Sequence, residues 1–147
     1  MLTAAQVNAY SRRVGEVYDS WMQPVNRRWP LPANGLDILL FLANNQGYET
    51  AREICRYRHL KSGAVSLAVE KLVQQGFLRR ESVPGDRRKD RLVCTENAAP
   101  IIAAGRERQE QFIARLKSDL TEEEWQGLQR YLQTLDQTLD QMKKEGE

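Results

Sequence analysis

A single histidine, His59, and two cysteines, Cys55 and Cys94, are all that 147 residues offer for metal ligation or thiol chemistry. The cysteines stand far apart, and no Cys, His, Asp or Glu group has ligand spacing, so neither a metal nor a cofactor is expected. A serine or cysteine nucleophile motif and a phosphate-cradling glycine loop are also missing, which argues against an enzyme. The two thiols are read as small buried hydrophobes of a reducing compartment. No stretch nears the roughly 18 consecutive apolar residues of a membrane span, so no membrane partner is expected. Met1 to Gln6 shows neither the basic nor the apolar part of a secretory leader, and a cytoplasmic location is the expectation.

What the chain does contain is charge, 29% of its residues, over an apolar content of 41% that suffices for a folded core. The net charge of +2 hides an asymmetry. Between Arg52 and Arg91 eleven Lys or Arg face five acids, a balance of +6, which leaves −4 for the remainder. A positive field confined to the middle suits a polyanionic partner there; a merely solvated basic surface is the competing explanation.

Hydrophobic spacing divides the chain into helices and one hairpin. Thr3 with Gln6 forms a capping-box pattern, and Val7, Tyr10, Val14, Val17 and Trp21 then make one apolar stripe, predicted to end near Pro24. A second helix is predicted from Pro32 to Asn44, with Leu36, Leu39, Leu40 and Ala43 buried. A third covers Thr50 to Tyr57 and turns Ile54 and Cys55 inward. A fourth covers Ser62 to Gln75, with Val65, Leu67 or Ala68, Val69 and Leu72 inside and Gly76 as terminator. Residues 77–83 and 91–95 read as strands around a Pro84-Gly85-Asp86 turn and a long charged tip. Helix resumes from Asn97 to Leu120. Thr121 with Glu124 opens a last one, where Trp125, Leu128, Leu132, Leu135, Leu139 and Met142 alternate by three and four. That repeat calls for another helix, from this chain or a second copy.

Helix, turn, helix and hairpin in that order is a winged helix-turn-helix. The second helix of the pair must enter a major groove about 12 Å wide, so its first turn should be small or polar. Lys61, Ser62, Gly63, Ala64 and Ser66 meet that requirement, and Leu67 lies beside them. The hairpin tip Asp86-Arg87-Arg88-Lys89 suits the backbone or minor groove, with Asp86 near enough to orient Arg88.

Leu60 to Ser66, Leu72, Gly76, Phe77, Leu78, the Asp86-Arg87-Arg88 triplet and Thr95-Glu96 together resemble the MarR (multiple antibiotic resistance regulator) family over nearly the whole chain. The resemblance implies a mainly α fold with a small β-hairpin: a winged helix-turn-helix DNA-binding domain, residues 31–96, flanked by helical dimerisation regions, 1–30 and 97–147. It implies a homodimeric repressor on double-stranded DNA, reading an inverted-repeat operator with the fourth helix in the major groove and Arg88 in the minor groove. Leu67, Lys61, Pro32 and Cys94 depart from the family's usual residues and leave the operator sequence open. The resemblance also implies a small effector, and Tyr18, Trp21, Met22, Arg27, Arg28 and Trp29 suit an aromatic or anionic one. The alternative is a winged helix used for protein interaction without specific DNA binding.

Overall fold

The computed structural model describes residues 1–58 and 60–146, with the side chains of all of these except Arg87, Arg88 and Lys89. The chain divides into two units, Met1–Gln109 and Glu110–Glu147. Helix α1, Ala4–Arg28, opens on the expected capping box: Thr3 Oγ1 accepts from Gln6 N at 3.2 Å, and Gln6 Oε1 accepts from Thr3 N at 2.9 Å. It does not stop at Pro24, which lies inside it. Pro24 is exposed, so the carbonyl it leaves unpaired can meet water, while Met22 and Val25 on the opposite side are buried in the core. Burial of those two side chains offsets the lost hydrogen bond.

Helix α2 spans Gly35–Asn44, three residues later than the sequence suggests. Pro32 belongs instead to a turn closed by Gly35 N donating to the Pro32 carbonyl at 2.9 Å, with Asn34 left-handed at φ 64. A Cβ on Gly35 would stand 2.9 Å from Pro32 Cδ, so this turn requires glycine. Leu36, Ile38, Leu39, Leu40, Phe41 and Leu42 are all buried, making α2 a central helix whose apolar surface is wider than the single face expected, with Asp37 and Asn44 on its polar side.

Helices α3, Ala51–Arg58, and α4, Ser62–Gln74, pack on α2 through Ile54, Val65, Ala68, Val69 and Leu72. Thr50 caps α3 by accepting from Glu53 N at 3.3 Å. In α4 the core position is Ala68; Leu67 is 68% exposed. Gly76, at φ +80, ends this helix: Phe77 N donates to the Leu72 carbonyl and Gly76 N to that of Val73, a Schellman pattern. The two thiols are half-buried, and Cys94 donates to the Leu39 carbonyl at 3.8 Å.

Strands β1, Leu78–Val83, and β2, Asp86–Cys94, form an antiparallel hairpin. The second strand starts at Asp86, not at Arg91 as the sequence reading has it. Val83 pairs with Asp86 across the Pro84-Gly85 turn and Ser82 pairs with Asp90, so the register shifts between Ser82 and Val83. Leu78 and Leu92 face the core.

A 3-10 turn, Glu96–Ala98, leads into α5, Ala99–Lys117, whose Ile101 and Ile102 complete the core of the first unit. Arg108 is clasped to Trp21: the indole Nε1 donates to its carbonyl at 2.9 Å, Arg108 Nε donates to the Trp21 carbonyl at 2.8 Å, and the guanidinium lies 4.1 Å from the ring centroid. In the second unit, α6, Glu122–Glu145, opens on the capping box of Thr121 and Glu124. Its repeat Leu128, Leu132, Leu135, Leu139 and Met142 is exposed, as are Val7, Tyr10, Val14 and Val17 of α1.

Candidate nucleic-acid interface

The exposed face of α4 collects the residues expected to meet bases. Lys61, Ser62, Gly63, Ala64, Ser66 and Leu67 are all exposed, while Val65, Ala68 and Val69 behind them are buried. The helix is therefore pinned by its apolar side and presents its small, polar first turn outward. Lys61 stands at its N-cap and makes no side-chain capping bond. A Cβ added to Gly63 would meet nothing within 4 Å. The packing of this chain gives no reason for a glycine that costs up to about 1 kcal/mol relative to alanine in a helix.

Beside α4 a groove of about 590 Å³ is lined by Thr50, Arg52, Ser66, Arg80, Asp90 and Leu92, so α3, α4 and the hairpin share one concave face. Arg52 and Arg80 in this lining are exposed, as are Arg56, Lys71 and Arg79 elsewhere on α3, α4 and β1. The hairpin's expected contacts are divided. Asp86 is half-buried and ladder-paired to Val83, whereas the side chains of Arg87, Arg88 and Lys89 lie outside the described residues, and with them the expected Asp86–Arg88 pair.

Ion pairs that the sequence reading missed tie the hairpin to the segment before α3. Arg91 lies 3.1 Å from Glu49 and 3.0 Å from Glu81, and Glu81 also takes Arg79 at 3.0 Å. The hydrogen bond from Arg79, followed by the charges of Arg79 and Arg91, holds the Glu81 carboxyl below the usual range. A depressed carboxyl contributes at neutral pH, and its contribution fades as pH falls through the folded value.

The six residues expected around an effector do not converge. Tyr18 and Met22, one turn apart on α1, line a cleft of about 360 Å³ with Asp19, Asn26, Asn34 and Asp37. Trp21 is committed to Arg108, Arg28 stacks 4.6 Å from the Trp29 ring, and Arg27, Arg28 and Trp29 are not part of that lining. Burial pushes the Asp37 carboxyl up, with Arg58 at 3.3 Å pulling it back. Burial likewise raises the Tyr18 phenol, which accepts from Gln109 Nε2 at 2.7 Å. Among the described residues no group of His, Cys, Asp or Glu could hold a metal ion, and no helix is long and apolar enough to cross a membrane.

Residues 29–89, which hold α2, α3, α4 and the tip of the hairpin, match the MarR family. The winged segment is a MarR-family domain. Several solved structures share the fold across the chain. A MarR transcriptional regulator from Methanosarcina mazei Go1 superposes with a TM-score of 0.81 at 13% identity, covering 97% of this chain and 94% of that one. The MepR–DNA complex of S. aureus gives 0.73 at 17%, covering 95% and 99%. Transcriptional regulator Tm0710 from Thermotoga maritima is 25% identical, with a TM-score of 0.58 and coverage of 92% and 94%. No curated protein matches the chain. At 13% and 17% identity the likeness is one of fold, so what this chain binds has to be argued from its own surface.

Proposed function

We propose that this MarR-family chain is a sequence-specific DNA-binding transcriptional regulator, acting in the cytoplasm as a homodimeric repressor on an inverted-repeat operator. The observation that carries the reading is the first turn of α4. Gly63 has open space around it, its neighbours Ser62, Ala64 and Ser66 are small and exposed, and the turn lies in the +6 segment of the chain. A glycine that its own chain does not need suits close approach by a second molecule, and the charge makes that molecule a polyanion. The uncapped N-terminus of α4 leaves amides for a phosphate, and its exposed side chains suit base edges. Arg88, at the hairpin tip, is assigned to the minor groove.

A second copy covers the exposed apolar stripes of α1 and α6, giving the two-fold symmetry that an inverted repeat requires. A dimer seated over a promoter blocks transcription by occupancy, hence the repressor assignment. Release belongs to a small aromatic effector at the α1–α2 cleft, where Tyr18 and Met22 supply contact; the carboxylates of Asp19 and Asp37 disfavour an anion there.

Fluorescence anisotropy with a labelled duplex at rising salt tests the reading. The affinity is expected to fall steeply, log K against log salt having a slope near −0.9 for each phosphate neutralised. Arg88→Ala should weaken binding and make the slope shallower by about one contact. Binding indifferent to salt would instead favour a winged helix that recognises protein.

A further inference from the structure

Two acids in the basic winged segment share one arginine as their partner. Glu49 lies in the segment before α3, and Glu81 is on β1; as uncompensated charges, carboxylates in a domain that binds a polyanion should oppose binding. Both grip the same guanidinium. Arg91 Nε is 3.1 Å from Glu49 Oε2, and Arg91 Nη2 is 3.0 Å from Glu81 Oε2. The remaining oxygen of Glu81 accepts from Arg79 Nε at 3.1 Å. On the backbone, Leu92 N donates to the Glu49 carbonyl at 2.7 Å, so β2 is joined to β1 on one edge and to the segment before α3 on the other.

We propose that Glu49, Arg91 and Glu81 form a clasp that sets the angle of the hairpin against α3 and α4, so that the hairpin tip and the recognition helix meet one duplex together. The clasp rests on the DNA-binding reading above, and its residues are positioning residues. The hairpin holds to the rest of its unit through few buried side chains, chiefly Leu78 and Leu92 at its base. Its far end, residues 82–90, has no buried side chain among those described. Arg91 sits between base and tip, where a guanidinium bridging two carboxylates resists rotation of the strands about their own axis. The pairs are about half exposed, so their worth to global stability is small. What they fix is direction, and a binding element needs such support to hold its geometry.

The two explanations of these acids predict opposite signs. If Glu49 and Glu81 are only charges near DNA, neutralising either one tightens binding. If they orient the hairpin, neutralising either one weakens binding even though the face becomes more positive. If Arg91 itself contacts phosphate, Arg91→Ala weakens binding while Glu49→Gln strengthens it.

The test uses the full chain carrying Glu49→Gln or Glu81→Gln. Amide hydrogen exchange over residues 78–94 is measured without DNA, and anisotropy with a mixed-sequence 30-base-pair duplex at low salt. We expect hairpin exchange to quicken roughly twofold to fivefold, the size of one exposed ion pair, with α2 exchange unchanged. Duplex affinity should fall by a similar factor. Unchanged hairpin exchange, or tighter binding by either variant, overturns the clasp. Should the parent chain bind no duplex, the DNA reading falls by itself, and the exchange comparison still decides whether the clasp exists.

Discussion

Replacing Leu132 and Leu139 together with aspartate is expected to convert the protein to a monomer and to lower its affinity for an inverted-repeat duplex by about 100-fold or more. Leu132 is 56% and Leu139 61% exposed, so neither holds its own unit together. Yet they belong to a repeat with Leu128, Leu135 and Met142 that runs along most of α6, and single exposed leucines need no explanation where a continuous stripe does. Burying a leucine is worth about 1.5–3 kcal/mol, and placing a carboxylate in the same contact adds a desolvation cost. Four such sites across a two-fold interface leave little association energy. Two half-sites then bind independently, and the gain from linkage, on the order of 10² to 10⁴, disappears. Sedimentation velocity reads the mass and anisotropy the affinity; circular dichroism should stay unchanged because the substituted positions are exposed. A variant that still sediments as a dimer would show that α6 is not the assembly surface.

Gly105→Ala should lower the melting temperature, although helix propensity alone says the reverse. Alanine inside a helix is favoured over glycine by about 1 kcal/mol. At Gly105, however, a Cβ would lie 2.8 Å from Leu40 Cδ2, 3.0 Å from Cδ1 and 3.2 Å from Cγ. Leu40 is 2% exposed, and with its branch point as well as both methyls in the way, rotating the end of the side chain does not open the space. Overpacking of this kind costs about 1–3 kcal/mol, so the net change is destabilising, a fall of several degrees for a chain of this size. Gly15 is the internal comparison: it is also mid-helix, but nothing lies within 4 Å of its added Cβ. Gly15→Ala should raise the melting temperature or leave it unchanged. If both substitutions moved it upward, the close approach of α5 to α2 would be wrong.

Local chemistry in the sequence located most elements. Both capping boxes, the Gly76 terminator and the split of α4 into a buried and an exposed side depend on residues within a turn of one another, so periodicity reveals them. Where the reading missed, a distant partner decides. Pro24 would end an isolated helix, but core burial of Met22 and Val25 carries α1 on to Arg28. Pro32 looks like a helix opener until its turn with Gly35 is seen. The run from Asp86 to Asp90 is too charged to suggest a strand, yet pairing with Ser82 and Val83 makes it one. At the site, the exposed residues of α4 follow from helix geometry alone. The Glu49–Arg91 pair joins residues far apart in sequence and carries no local signature. Nor could proximity in sequence reveal that Trp21 bonds and stacks with Arg108, 87 residues away.

The most direct measurement is selection of bound duplexes from a random pool by the full chain, followed by sequencing. The account predicts an inverted repeat whose half-sites lie about one helical turn apart, near 10 base pairs centre to centre, one for each α4 of a symmetric dimer. A pool that shows no enriched sequence, or that enriches a single site without two-fold symmetry, would contradict it.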